Sequence, residues 1–155
     1  SLGNANTDYV SVKPTTYVSP TSARIDFFAT GGSAASQQAI ANTGLSTRGK
    51  QKLTTLVTTL TGYSPNTHYS VFYSYIVGFE TSVMADPLLT AFDTRVILST
   101  SSIGRHGYHL KKKKRRRDRD WDISWGNITA GTEGATEDTA KSVVMSVATG
   151  IMMNK

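Results

Sequence analysis

The sequence predicts a mainly helical domain with a small β element, and three stretches carry that expectation. Leu53, Leu56, Val57 and Leu60 recur at i, i+3, i+4 and i+7, the stripe of an amphipathic helix with one buried face. Leu88, Leu89, Phe92, Val96 and Ile97 line one face behind Asp86-Pro87, and Val143, Val144, Val147 and Ile151 repeat the pattern near the end. With 155 residues, the chain suits one domain, 1–155, around a single modest core.

Taken in order, residues 1–22 read as irregular, because Pro14 and Pro20 punctuate any regular element, although Tyr9-Val10-Ser11-Val12 can pair as a short strand. Residues 24–29 are apolar enough to touch the core, and Gly31-Gly32 breaks the chain after them. Ser33 is a candidate cap for a short helix that ends near Gly44. Ser46 caps the clearer helix that follows, Gly62 closes it at C′, and Pro65 prevents its resumption. Its many threonines lower intrinsic helicity, so packing must hold it. From 69 to 79 aromatic and β-branched residues dominate, which predicts a strand. Asp86 as N-cap with Pro87 at N1 opens the next helix, ended by residues 99–104. Residues 105–122 form a basic loop and 127–134 a Gly/Thr/Asn loop. Thr136-Glu137-Asp138 opens the last helix, with acids at its start and Lys155 at its end to match the helix dipole. The alternative fold is α+β and β-rich, with this last helix packed across a sheet.

Composition narrows the function. The absence of cysteine excludes a disulfide scaffold, a thiolate zinc site, an iron–sulfur cluster and a cysteine nucleophile. No apolar run is long enough to span a membrane, and the opening residues have neither the basic nor the apolar region of a signal peptide. Ser and Thr number 39, a composition that suits surfaces packing against copies of themselves. Charge is distributed unevenly: the balance is +1 over 1–104, +6 over 105–122 and −1 over 123–155. The net charge therefore resides in one 18-residue window, which points to a polyanion partner.

That window contains Lys111, Lys112, Lys113, Lys114, Arg115, Arg116 and Arg117 in succession, then Arg119 and Trp121. Such a run is either a solvated loop or localisation segment, or a phosphate-binding stretch that orders on contact with nucleic acid. Tyr108, Trp121 and Trp125 flank it and could stack on unpaired bases, which favours RNA or single-stranded DNA over lipid. His106 and His109 beside the cations suggest an alternative, a small basic ribonuclease with an acid–base pair next to a phosphate clamp. The nearest acids, Asp118, Asp120 and Asp122, lie among arginines that compete for them. No metal-ligand cluster, P-loop or nucleophile elbow is visible, so neither cofactor nor metal is expected.

Ser64-Pro65, the aromatic stretch 69–75, Asp86-Pro87-Leu88 and Ala91-Phe92-Asp93-Thr94-Arg95 together resemble the centre of rod-shaped plant virus coat proteins of the tobamovirus type. The helix opening with Glu137-Asp138 is similar to the family's helix that begins with paired acids. The resemblance spans roughly 46–97 and 136–152, and Phe-Asp-Thr-Arg is its specific part. It implies an antiparallel four-helix bundle with a small sheet at one end, assembling helically around single-stranded RNA. It also implies that Arg95 binds phosphate, that Lys50 is a second cationic contact and that Asp138 lies close to the RNA. Three departures stand out: a shorter stretch from Pro87 to Phe92, Val96-Ile97 where the family has a second arginine, and the basic insertion. The expectation is a non-enzymatic viral coat or nucleocapsid protein, in the virion and host cytoplasm, forming a large homo-oligomer on single-stranded RNA.

Overall fold

The computed structural model describes residues 21–64, 66–113, 125–137 and 139–153, the side chains of 107, 109–113, 125, 139–140 and 151–153 excepted. Among them the fold is all helical: α1 Ser22–Thr30, α2 Gly32–Asn42, α3 Thr47–Gly62, α4 Tyr69–Met84, α5 Ala91–Lys113, α6 Trp125–Glu137 and α7 Thr139–Met153. The expected mainly helical class holds. No strand occurs among the described residues, so neither the small β element nor the β-rich alternative is present there. The expectations for residues 1–20 and Pro65 fall outside the described residues.

α3 forms as its spacing predicts. Ser46 caps it by accepting from Gly49 N–H, and Leu53, Leu56, Val57 and Leu60 are all buried. Gly62 is its last helical residue, with Tyr63 as the C-cap, rather than a C′ glycine. The predicted strand at 69–79 is instead the first two-thirds of α4. Its buried residues, Phe72, Ile76 and Val83, are spaced at helical intervals, and His68 caps it by accepting from Ser70 N–H. Strand propensity there reflects residues that suit any half-buried surface, and packing against α3 and α5 decides the conformation.

α3 and α4 run antiparallel, tied by Arg48–Asp86 at one end and by the Tyr63–Phe72 edge contact at the other. α5 returns antiparallel to α4, with Glu80 accepting from Ser101 and Arg105 and Phe72 stacked on Tyr108. It lies parallel to α3, Gly49 facing Asp93 and Gly104 facing Leu60. The core sits between these three helices and α6, from Leu53 and Leu56 through Phe72 and Ile76 to Val96, Ile97 and Ile128.

Several predicted boundaries move, among them the opening of the last helix: Thr136 and Glu137 end α6, and α7 begins at Thr139. Asp86-Pro87 makes a turn, because the Asp86 carboxylate is taken by Leu88 N–H and Arg48. Helix α5 starts at Ala91, and Leu88 is 67% exposed. It does not stop at 99–104. Gly104 is there for close approach, since a Cβ would lie 2.5 Å from Leu60 Cδ1, and Thr100 returns its hydroxyl to Val96 C=O. Nor is 127–134 a loop. It is the buried α6, whose small residues let α7 fold back against it: a Cβ on Gly134 would lie 2.6 Å from Lys141 C=O and from Ser142 N. Consequently α7 turns its hydroxyls inward. Ser142, Met145, Ser146 and Thr149 are buried, whereas the expected core residue Val143 is 51% exposed and Val144 and Val147 are half-buried. α1 crosses this hairpin through the Arg24–Glu133 ion pair and a second cluster of Phe28, Ala39, Ala130 and Met145.

Candidate nucleic-acid interface

Helix α5 carries four of the five predicted contacts among the described residues, Arg95, Lys111, Lys112 and Lys113, and its two ends have different chemistry. At its start, Thr90 and Asp93 form a reciprocal capping pair: Asp93 N–H donates to Thr90 Oγ1 at 3.0 Å, and Thr90 N–H donates to Asp93 Oδ2 at 2.9 Å. The same carboxylate accepts from Ser46 N–H at 2.9 Å and from Ser46 Oγ at 2.8 Å. Burial pushes the Asp93 carboxyl up, but these hydrogen bonds from Thr90 and Ser46 outweigh it and hold the group below the usual carboxylate range. Two helix N-termini thus converge on one buried carboxylate. Converging N-termini attract anions, and here the attraction is satisfied by Asp93 itself. In the Phe-Asp-Thr-Arg string, the aspartate joins helices.

Lys50 and Arg95 lie in the first turns of α3 and α5, at this end. Lys50 Nζ donates to Ala41 C=O at 2.6 Å, closing the last turn of α2. Arg95 is exposed, its guanidinium 5.4 Å from the Phe92 ring centre. Nearby, the Arg48 hydrogen bond holds the Asp86 carboxyl below its ordinary value.

The lysine run begins at the opposite end. α5 has 23 residues against 16 each in α3 and α4, about 34 Å against about 24 Å at 1.5 Å per residue. Lys111, Lys112 and Lys113 form its last turn. The first nine residues of the expected basic loop, 105–113, are therefore helix. Lys111 lies 16 residues beyond Arg95, about 24 Å along the axis. The sequence-predicted contacts do not form a single cluster. Lys114, Arg115, Arg116, Arg117, Arg119, Trp121 and Asp138 lie outside the described residues.

Of the three flanking aromatics, Trp121 and the side chain of Trp125 lie outside the described residues, and Tyr108 changes role. Tyr108 is 3% exposed, stacked on Phe72 with ring centres 3.9 Å apart at 8°, and donates its hydroxyl to Thr67 C=O at 2.6 Å. It is a core residue and offers no free face to a base. Two rings that sequence reasoning assigned to a strand continue the stack from Tyr108 toward the surface. Tyr69 stacks on Tyr108 at 6.3 Å, and Tyr73, 45% exposed, lies 5.8 Å from Tyr69. Their signal was present in the helical spacing of 69, 72, 73 and 76. Close by, burial raises the Tyr63 hydroxyl above its ordinary value, with Tyr75 and Tyr108 adding to it.

His106 and His109 belong to α5 rather than to a loop, and His106 is exposed. Among the described residues no carboxylate hydrogen-bonds to His106 or to His68, whose Nδ1 lies 2.7 Å from Ser70 Oγ. No group of three or more possible metal ligands occurs among them, and no described helix is long and apolar enough to cross a membrane. A groove of about 580 Å³ between α3 and α4 is lined by Arg48 and Lys52 and runs past Thr55, Ser74, Tyr75 and Phe79. No family model, curated protein or solved structure matches the chain.

Proposed function

We propose that the chain is a non-enzymatic coat or nucleocapsid subunit that self-assembles and packages single-stranded RNA, as the tobamovirus-type resemblance implies. The observation that carries this reading is the charge: seven consecutive cations, three of them continuing helix α5 beyond the stacked Tyr108. Binding through such a segment is dominated by phosphate neutralisation and reads little sequence, as a packaging protein requires. The helical class agrees with that family's bundle. Self-assembly is supported by a different surface. Residues 53–79 include no Asp, Glu, Lys or Arg, yet they form the exposed α3–α4 hairpin, with Thr55 and Thr58 on one helix and Val71, Ser74 and Gly78 on the other. An outward face without charge suits contact with another copy of a chain whose net charge is +6.

The test is the salt dependence of RNA binding. Replacing Lys111, Lys112, Lys113, Lys114, Arg115, Arg116 and Arg117 by Ser/Gly should weaken binding strongly and leave the thermal transition in place. The slope of log affinity against log salt should flatten by several units, at about 0.7 per lost phosphate contact. An unchanged slope refutes the reading. So does RNA cleavage in the same assay that His106→Ala abolishes.

A further inference from the structure

We propose that Tyr73 is a base-stacking residue, which places one unpaired RNA base in the seam between α4 and α5. The inference rests on the packaging reading and specifies where a base, rather than a phosphate, is held. Position is the first argument. Glu80 meets Ser101 and Arg105, and Phe72 meets Tyr108, so in this antiparallel register Tyr73 stands level with residues 107–112 of α5. That stretch reaches Lys111 and Lys112, where the cationic run begins. A strand whose phosphates follow the end of α5 therefore passes a tyrosine on the neighbouring helix.

The second argument is preorganisation. Tyr73 leans on Tyr69 at 33°, Tyr69 stacks on Tyr108, and Tyr108 is fixed by Phe72 and by its bond to Thr67 C=O. A ring buttressed in this way loses little freedom when a base covers it. The third argument is charge. The nearest acid along α4, Glu80, lies two turns away and is occupied by Ser101 and Arg105, so no unpaired carboxylate of α4 opposes a phosphate. A second copy docked symmetrically at this seam would bring two lysine-bearing ends of α5 together, which disfavours it. A polyanion with exposed π faces satisfies both the cations and the ring.

The experiment compares Tyr73→Ala, Tyr73→Leu and Tyr73→Trp with the unmodified chain, using labelled single-stranded oligo(A) and an RNA duplex of equal length. Ala and Leu should weaken oligo(A) binding about 5-fold to 150-fold, the range of one lost base–aromatic stack. Trp should retain it, and duplex binding should be unchanged, since a paired base offers no free face. Unchanged oligo(A) affinity in Ala and Leu overturns the proposal, as does equal weakening of both RNAs. Loss of particle formation with oligo(A) affinity intact also overturns it, by assigning Tyr73 to subunit contact. Failure of the packaging reading has a different signature, an unchanged salt slope when the cationic run is replaced.

Discussion

Asp93→Asn tests the junction on which the bundle is built. The carboxylate accepts from Ser46 N–H, Ser46 Oγ and Thr90 N–H, and its surroundings leave it fully buried. A carboxamide keeps one acceptor oxygen, so one of the two backbone N–H groups must face an NH₂ donor. A hydrogen bond to a charged group contributes about 1.5–3 kcal/mol, and losing a helix cap costs about 0.5–2 kcal/mol. The variant should therefore lose about 2–4 kcal/mol at pH 7, a fall in Tm of roughly 5–15 °C for a chain of this size. The pH dependence has a defined sign. The folded Asp93 carboxyl lies below its unfolded value, so its stabilisation is fully present above an unfolded pKa of about 3.9 and fades as pH drops through the folded one. Urea midpoints for the two proteins should converge below about pH 4. A gap that is absent at pH 7, or that does not narrow in acid, refutes the role given to this carboxylate. Gly49 supplies a second arm, since a Cβ there would lie 2.4 Å from Asp93 Oδ1. Gly49→Ala should destabilise by about 1–3 kcal/mol alone. In an Asp93→Ala background it should be neutral or stabilising, as for an ordinary helical glycine.

Two further outcomes concern packing. Leu56→Ala should cost about 2–5 kcal/mol, while Leu88→Ala, at a 67% exposed position, should stay within about 0.5 kcal/mol in thermal unfolding. Gly134→Ala should destabilise far more than Gly104→Ala: the first Cβ meets the backbone of Lys141 and Ser142, the second only the flexible end of Leu60. Equal costs would show that α6 and α7 are not packed this closely.

Where burial follows apolar periodicity, the sequence was legible. α3 shows this best, because its leucines and valine lie on one stripe and its opposite face is threonine. The same rule failed on α4, where Val71, Tyr73 and Val77 remain exposed and blur the stripe into a strand-like run. It failed differently on α6 and α7. Their contact is made by glycine, alanine and hydroxyl side chains, which hydropathy reads as a loop or as a polar face. Ser142 Oγ donates to Gly131 C=O at 2.6 Å, so a buried hydroxyl there is satisfied at no cost in helix spacing. Close approach replaces apolar area as the signal, and close approach is a property of pairs of helices that a single stripe cannot encode.

The candidate interface divides along the same line. A run of cations is visible in any reading of the chain, because charge needs no fold to be counted. The ring proposed to act with that run is not, because Tyr73 precedes Lys111 by 38 residues and nears its level only through the antiparallel return of α5. Sequence proximity selected Tyr108 instead, and the fold uses that ring as core. Resemblance placed Lys50 and Arg95 with the RNA, yet both lie about 24 Å from Lys111 along the bundle, beside a carboxylate that already occupies two helix ends. Under the packaging proposal, an RNA strand touching both ends would run along α5 rather than rest at one pocket.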